Sequence, residues 1–188
     1  PDNFTTLLRM ATSVVDRFET RRVLQGINLS PEGITATDGK QLLHLPVAWS
    51  MKKKTTIPLP YALLMIHSKR PGKLYCWEDR FKIETGNFSW IGRSLGEYPN
   101  WRQVVPDHNS LDYQITLHET ERVLEFLKTV PDFPPYHCIR IEITPNEVVI
   151  VPTDFPEMKF KTNADFIGTT PKTALMLNKD VLTRMLQQ

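Results

Sequence analysis

Apolar residues recur at helical spacing in "FTTLLRMATSVVD", residues 4 to 16. Phe4, Leu7, Leu8, Ala11, Val14 and Val15 share one face, so an amphipathic helix buried along one side is expected. "RRVLQGINLS" then reads as a strand and "PEG" as a turn. "ITATDGKQLLHLPVAW" reads as a second strand broken by the Asp38-Gly39 turn signal. Each proline of "TTIPLP" disfavours α geometry in the residue before it, which predicts an extended segment. "PYALLMIHSKR" follows as a helix started by proline and stopped by Pro71-Gly72. "KLYCWED", "RFKIETG" and "FSWIGRS" alternate as three strands. "SLGEYPNWRQVVP", residues 94 to 106, is too polar for a core strand, yet places Tyr98 and Trp101 on either side of Pro99. Something must hold it.

The pattern then restarts. "LDYQITLH" reads as a strand and "ETERVLEFLKTV" as a helix with Val123, Leu124, Phe126 and Leu127 on its apolar face. "YHCIRIEIT", "EVVIVPTD" and "MKFKTN" read as strands, "TALML" as another, and "NKDVLTRMLQQ" as a helix capped by Asn178. "TTIPLPYALLMI" and "TALMLNKDVLTRML" echo one another, each an extended run feeding an amphipathic helix, so a structural repeat is expected that stops at its second helix. The fold class is α+β, with repeated units of a helix followed by small antiparallel sheets. Two domains are expected, residues 1 to 108 and 109 to 188.

Composition narrows the class. With 40% hydrophobic and 23% charged residues in 188, the chain has the material for a packed core and is no disordered polymer. Its longest apolar runs fall far short of the roughly 20 residues that span a bilayer, so no membrane partner is expected. The N-terminus lacks the regions of a secretory signal and does not begin with Met, which reads as a trimmed sequence in a cytoplasmic setting. A net charge of +2 permits a polyanion partner without predicting one. Cys76 and Cys138 have no Cys or His at metal-ligand spacing, and two isolated thiols in a reducing cytosol are favoured over a disulfide.

Catalytic patterns are weak. His44, His67, His108, His118 and His137 are scattered, so no metal or other cofactor is expected. Asp38, His44 and Ser50 lack the Gly-x-Ser-x-Gly elbow of a hydrolase triad, and no P-loop or Gly-x-Gly-x-x-Gly suggests nucleotide chemistry. Lys52, Lys53 and Lys54 read as a solvated run protecting a sheet edge, with phosphate contact as the minor reading. No enzyme is expected.

In order and spacing, "TRRVLQGINL", "ITATDGKQLLHL", "TIPLPYALLMI" and "SLGEYPNWRQVVP" resemble the middle domain of the bacterial DNA polymerase III beta subunit, the sliding clamp. The shared pieces are an Arg then Leu-x-Gly strand, the Ala36-Thr37-Asp38-Gly39 turn, a Pro-then-helix segment, and Gly96, Tyr98, Pro99, Trp101 and Pro106 in a terminal strand and linker. "ALMLNKDVLTRML" is similar to the helix entrance of the clamp's last domain, with Val181 in place of the usual aromatic. Between 111 and 172 the support is pattern only.

The resemblance implies a DNA-clamp fold and a processivity factor, which encircles duplex DNA without reading sequence and recruits polymerase and clamp-loader peptides in the bacterial cytoplasm, at the nucleoid. It places a peptide pocket at Leu24, Thr37, Gly39, Leu42 and Pro106, completed in the family by residues of an extreme C-terminus beyond this chain's end. Gln41 stands where the family often has Arg. DNA-facing cations would be Arg9, Arg17, Arg21, Arg22, Lys69, Arg70, Lys179 and Arg184, although each also fits an ordinary solvated surface. The complete protein would self-associate into a ring, and this chain alone would run as a monomer at low micromolar concentration. Glu119, Glu121 and Glu125 against Arg122 and Lys128 leave the third helix acidic. That keeps open a clamp-like protein-interaction module that no longer encircles DNA.

Overall fold

The computed structural model describes residues 3–68, 72–107, 113–131, 138–144, 147–168 and 173–187. They divide into two compact units, residues 1–103 and 104–188.

The first unit opens with helix α1 (Phe4–Thr12). It ends before Val15 because Thr12 Oγ1 and Ser13 Oγ donate back to the carbonyls of Arg9 and Met10, at 2.8 and 2.7 Å. Val14 and Val15 still pack on the core, as their spacing predicts. The strand expected from residue 21 starts later. Residues Arg22–Gln25 form a 3-10 turn, and β1 is Gly26–Ser30. With β2 (Gly33–Thr37), β3 (Leu42–Pro46) and β4 (Thr55–Pro58) it forms an antiparallel sheet in the order β3-β2-β1-β4. Helix α2 (Leu59–His67) and a second antiparallel sheet, β5 (Gly72–Cys76), β6 (Arg80–Thr85) and β7 (Phe88–Arg93), complete the unit.

Strands β1 and β2 are buried at nearly every position, which one covered face cannot explain because side chains alternate. Register assigns the two faces. Ile27 pairs with Ile57, Leu29 with Ile34, and Ala36 with Leu43. These residues share a core with Leu8 and Ala11 of α1, Ala62 of α2, and Phe81. On the opposite face the cross-strand row is Thr56, Asn28, Thr35 and His44. Asn28, Thr35 and Thr56 are buried, so this polar row is covered as well.

Its cover is the segment 94–102. It is not the terminal strand that the resemblance implies, but irregular chain leading into a 3-10 turn at Trp101–Val104. Leu95 N donates to Thr56 O (3.0 Å), Thr56 N to Ser94 Oγ (3.0 Å), and Thr56 Oγ1 to Gly96 O (3.0 Å). At the other end Trp101 stacks on His44, with centroids 4.2 Å apart and planes at 25°. Arg102 lies 4.7 Å over the Trp101 ring and pairs with Glu32. His44 Nδ1 and Thr35 Oγ1 are 3.0 Å apart.

The second unit repeats the topology. After β8 (Tyr113–Leu117) and helix α3 (Thr120–Thr129), the strands β9 (Cys138–Ile143), β10 (Val148–Pro152), β11 (Phe160–Thr162) and β13 (Thr173–Asn178) form a sheet in the order β11-β10-β9-β13. Strand β13 feeds helix α4 (Lys179–Leu186) as β4 feeds α2. The unexpected element is β12 (Ala164–Gly168), which pairs with β8. Its core is built from Val123, Leu127, Ile139, Val148, Ile150 and Leu182.

Candidate peptide-binding site

The turn joining β2 to β3 is built by its own side chains. Asp38 Oδ1 accepts from the N–H groups of Lys40 and Gln41, both at 2.9 Å, and Oδ2 accepts from Gln41 Nε2 at 2.8 Å. Burial would raise the Asp38 pKa, but these donors outweigh it and hold the carboxyl below its ordinary range. Thr37 Oγ1 donates to Gln41 O (2.6 Å) and accepts from Gly39 N (3.0 Å). Gly39 has φ +82°, a left-handed conformation that glycine adopts without penalty.

Thr37 and Leu42 are register partners on the face that carries the polar row. Both are half-buried, and Leu42 lies outside the unit's core cluster. An apolar side chain therefore stands at a partly open end of a polar sheet face, beside an exposed glycine backbone. That combination suits an extended peptide, which needs an apolar contact and close backbone approach.

Thr37, Gly39 and Leu42 come together on the turn. Leu24, in the 3-10 turn before β1, is 1% exposed, and Pro106 is exposed. Sequence reasoning assigned Arg21 to DNA, but its guanidinium lies 2.3 Å from where a Gly39 side chain would begin. Glu19 Oε1 holds it there at 3.1 Å and also accepts from Arg21 N (3.1 Å). Those bonds, the backbone one foremost, keep the Glu19 carboxyl ionised below its ordinary range. The tie was visible only as a carboxylate two residues before an arginine, a common surface pair. Tyr98 was also missed. Its buried hydroxyl lies near the Thr37 backbone and Arg21, outside hydrogen-bond geometry, and burial pushes its pKa up to about 12.

The other cations scatter. Arg9 is exposed on α1, Arg17 lies 4.6 Å over the exposed Phe18 ring, and Arg22 is exposed in the 3-10 turn. Lys69 and Arg70 lie outside the described residues. Arg184 donates to Asp180 O at 3.1 Å. Lys179 departs from the expectation of a solvent-facing cation: it is buried, and its ammonium donates to Val130 O at 2.6 Å, satisfying a carbonyl at the end of α3.

Among the described residues no cluster of three or more His, Cys, Asp or Glu side chains could hold a metal ion. No described helix is long and apolar enough to cross a membrane. Cys76 and Cys138 are free thiols, and burial raises the Cys76 pKa to about 11, which suppresses its thiolate.

No family model matches the sequence, and no curated protein matches it. Solved structures do. The Caulobacter crescentus beta sliding clamp is 16% identical over 99% of this chain, with a TM-score of 0.77. The DNA polymerase III subunit beta from Pseudomonas aeruginosa is 16% identical over 99%, with a TM-score of 0.76. A Helicobacter pylori beta clamp bound to a DNA ligase peptide is 13% identical over 98%, with a TM-score of 0.69. The chain spans 54% of each of these structures. Across nearly its whole described length, the chain has the fold of the bacterial DNA polymerase III beta sliding clamp.

Proposed function

We propose that the chain works as part of a sliding clamp, a non-catalytic processivity factor that surrounds duplex DNA and tethers polymerase and other replication proteins by peptides laid on the β2–β3 turn. The observation that carries this reading is the convergence of Thr37, Gly39 and Leu42 at a partly open end of a clamp-fold sheet. Arg21 and the Asp38 turn hold that site in shape. The Helicobacter pylori clamp of the same fold, bound to a DNA ligase peptide, supports this reading. On DNA, Arg9, Arg17 and Arg22 would meet phosphates only, as a sliding ring requires.

Charge placement favours a second reading. Helix α1 carries Arg9 as its one charged residue, α2 carries no Lys, Arg, Asp or Glu, and α3 sets Glu121 and Glu125 against Arg122 and Lys128. So sparse a cationic surface fits a peptide-binding module that does not surround DNA. The discriminating experiment follows a labelled duplex by anisotropy across a salt series. Affinity that falls steeply with salt, and falls further when Arg9, Arg17 and Arg22 become Glu, supports the clamp reading. Absent or salt-insensitive binding supports the second.

A further inference from the structure

A cavity of about 510 Å³ opens where the start of α1, the connection from β3 to β4 and strand β5 meet. Phe4, Trp49, Met51, Leu74 and Cys76 line it, and it reaches Leu29, a fully buried core residue. None of these residues belongs to the β2–β3 turn, so the cavity is separate from the peptide site.

Its walls are apolar and carry little hydrogen-bonding capacity of their own. The Phe4 and Trp49 rings stand 6.0 Å apart at 60°, a tilted corner that offers both a ring face and a ring edge to an aromatic guest. The Trp49 indole N–H is already committed to Ser30 O at 2.7 Å. Burial keeps the Cys76 thiol neutral, with its pKa raised to about 11, so it adds no anion. The charge that does line the cavity has one sign. Lys52 and Lys53 are there, and no carboxylate of the described residues is. Lys53 pairs at 3.2 Å with Glu78, which lies outside the lining. Lys52 is exposed and makes no ion pair among the described residues.

We propose that this cavity binds a small aromatic carboxylate, with its ring in the Phe4–Trp49 corner and its carboxylate on Lys52. The volume falls within the roughly 300–1,000 Å³ of small-molecule sites, and apolar walls with few polar groups are their usual build. A cationic ligand would meet like charge at Lys52 and Lys53. A purely polar anion would forgo the apolar walls.

The test is a 15N heteronuclear NMR titration of the chain with phenylbutyrate, following the Trp49 indole N–H and the amides of Met51, Lys52 and Leu74. Saturable shifts centred on these positions are expected. Phenylbutylamine, with a matched apolar body, and acetate, with none, should each bind at least about tenfold more weakly. Lys52→Glu, a change at an exposed position, should weaken phenylbutyrate binding about tenfold, and Lys52→Arg should retain it. Leu42→Asp should leave the titration unchanged, which separates this cavity from the peptide site of the proposed function. Shifts that never saturate, equal binding of the amine or of acetate, or an unaltered affinity in Lys52→Glu would overturn the proposal. So would tighter binding by a short peptide with Phe beside Asp than by phenylbutyrate, since the cavity would then seat a side chain of a partner protein.

Discussion

Gly26 shows how one residue fixes the covering segment. A side-chain carbon there would lie 2.6 Å from Ile57 O and 2.7 Å from Leu95 Cδ1. The bare backbone therefore lets Leu95 settle beside β1. Gly26→Ala is expected to destabilise the first unit by about 1–3 kcal/mol, because one of the contacts is backbone that cannot step aside. Urea unfolding measures it, and an unchanged midpoint would contradict the packing. Trp101→Ala removes the stack on His44 and should cost about 1–2 kcal/mol in the same assay. The His44 environment also has a pH consequence. Burial, then the Arg102 charge, holds its pKa below 6.5, with Glu32 opposing. The unfolded chain then takes up the proton first, so stability present above pH 6.5 is lost as pH falls through and below that value. In His44→Gln this part of the pH dependence should vanish. The Asp38-Gly39 turn was readable because turn chemistry is local. The roles of Arg21 and Tyr98 were not, because they depend on which loop folds over which strand.

At the level of elements, the helix signals were the most legible. Asn178 caps α4 through Oδ1, which accepts from Asp180 N at 2.8 Å and Val181 N at 3.3 Å. Asn178→Ala should cost about 1 kcal/mol in the second unit, read as a shift in its thermal transition. Lys179 was misread because a lysine in a helix's first turn looks solvated by default, and only the tertiary position of Val130 O turns it inward. Strand β12 escaped because one residue, Asn163, separates it from β11. Its inward residues Ala164 and Phe166 meet the core while Ile167 stays 66% exposed, so its alternation carries an apolar residue on the wrong side. The segment 94–102 misled in another way. Its aromatic and proline spacing marked something held in place, but the holding partner is a polar sheet face spread over four strands.

For the whole molecule, the repeated order β3-β2-β1-β4 and β11-β10-β9-β13 explains how a sequence with 13–16% identity to the three clamps compared keeps their fold. The fold depends on alternation and on where a strand hands over to a helix, both of which survive extensive substitution. The proposed peptide recognition rests on fewer atoms: a half-buried leucine, a left-handed glycine and the turn that presents them. Its most direct test is anisotropy of a labelled Gln-Leu-x-Leu-Phe peptide titrated with the chain and with Leu42→Asp. The account predicts saturable binding by the chain, weakened at least about tenfold in the variant as a charge replaces the apolar contact. Binding of equal strength by both proteins, or none by either, would contradict it.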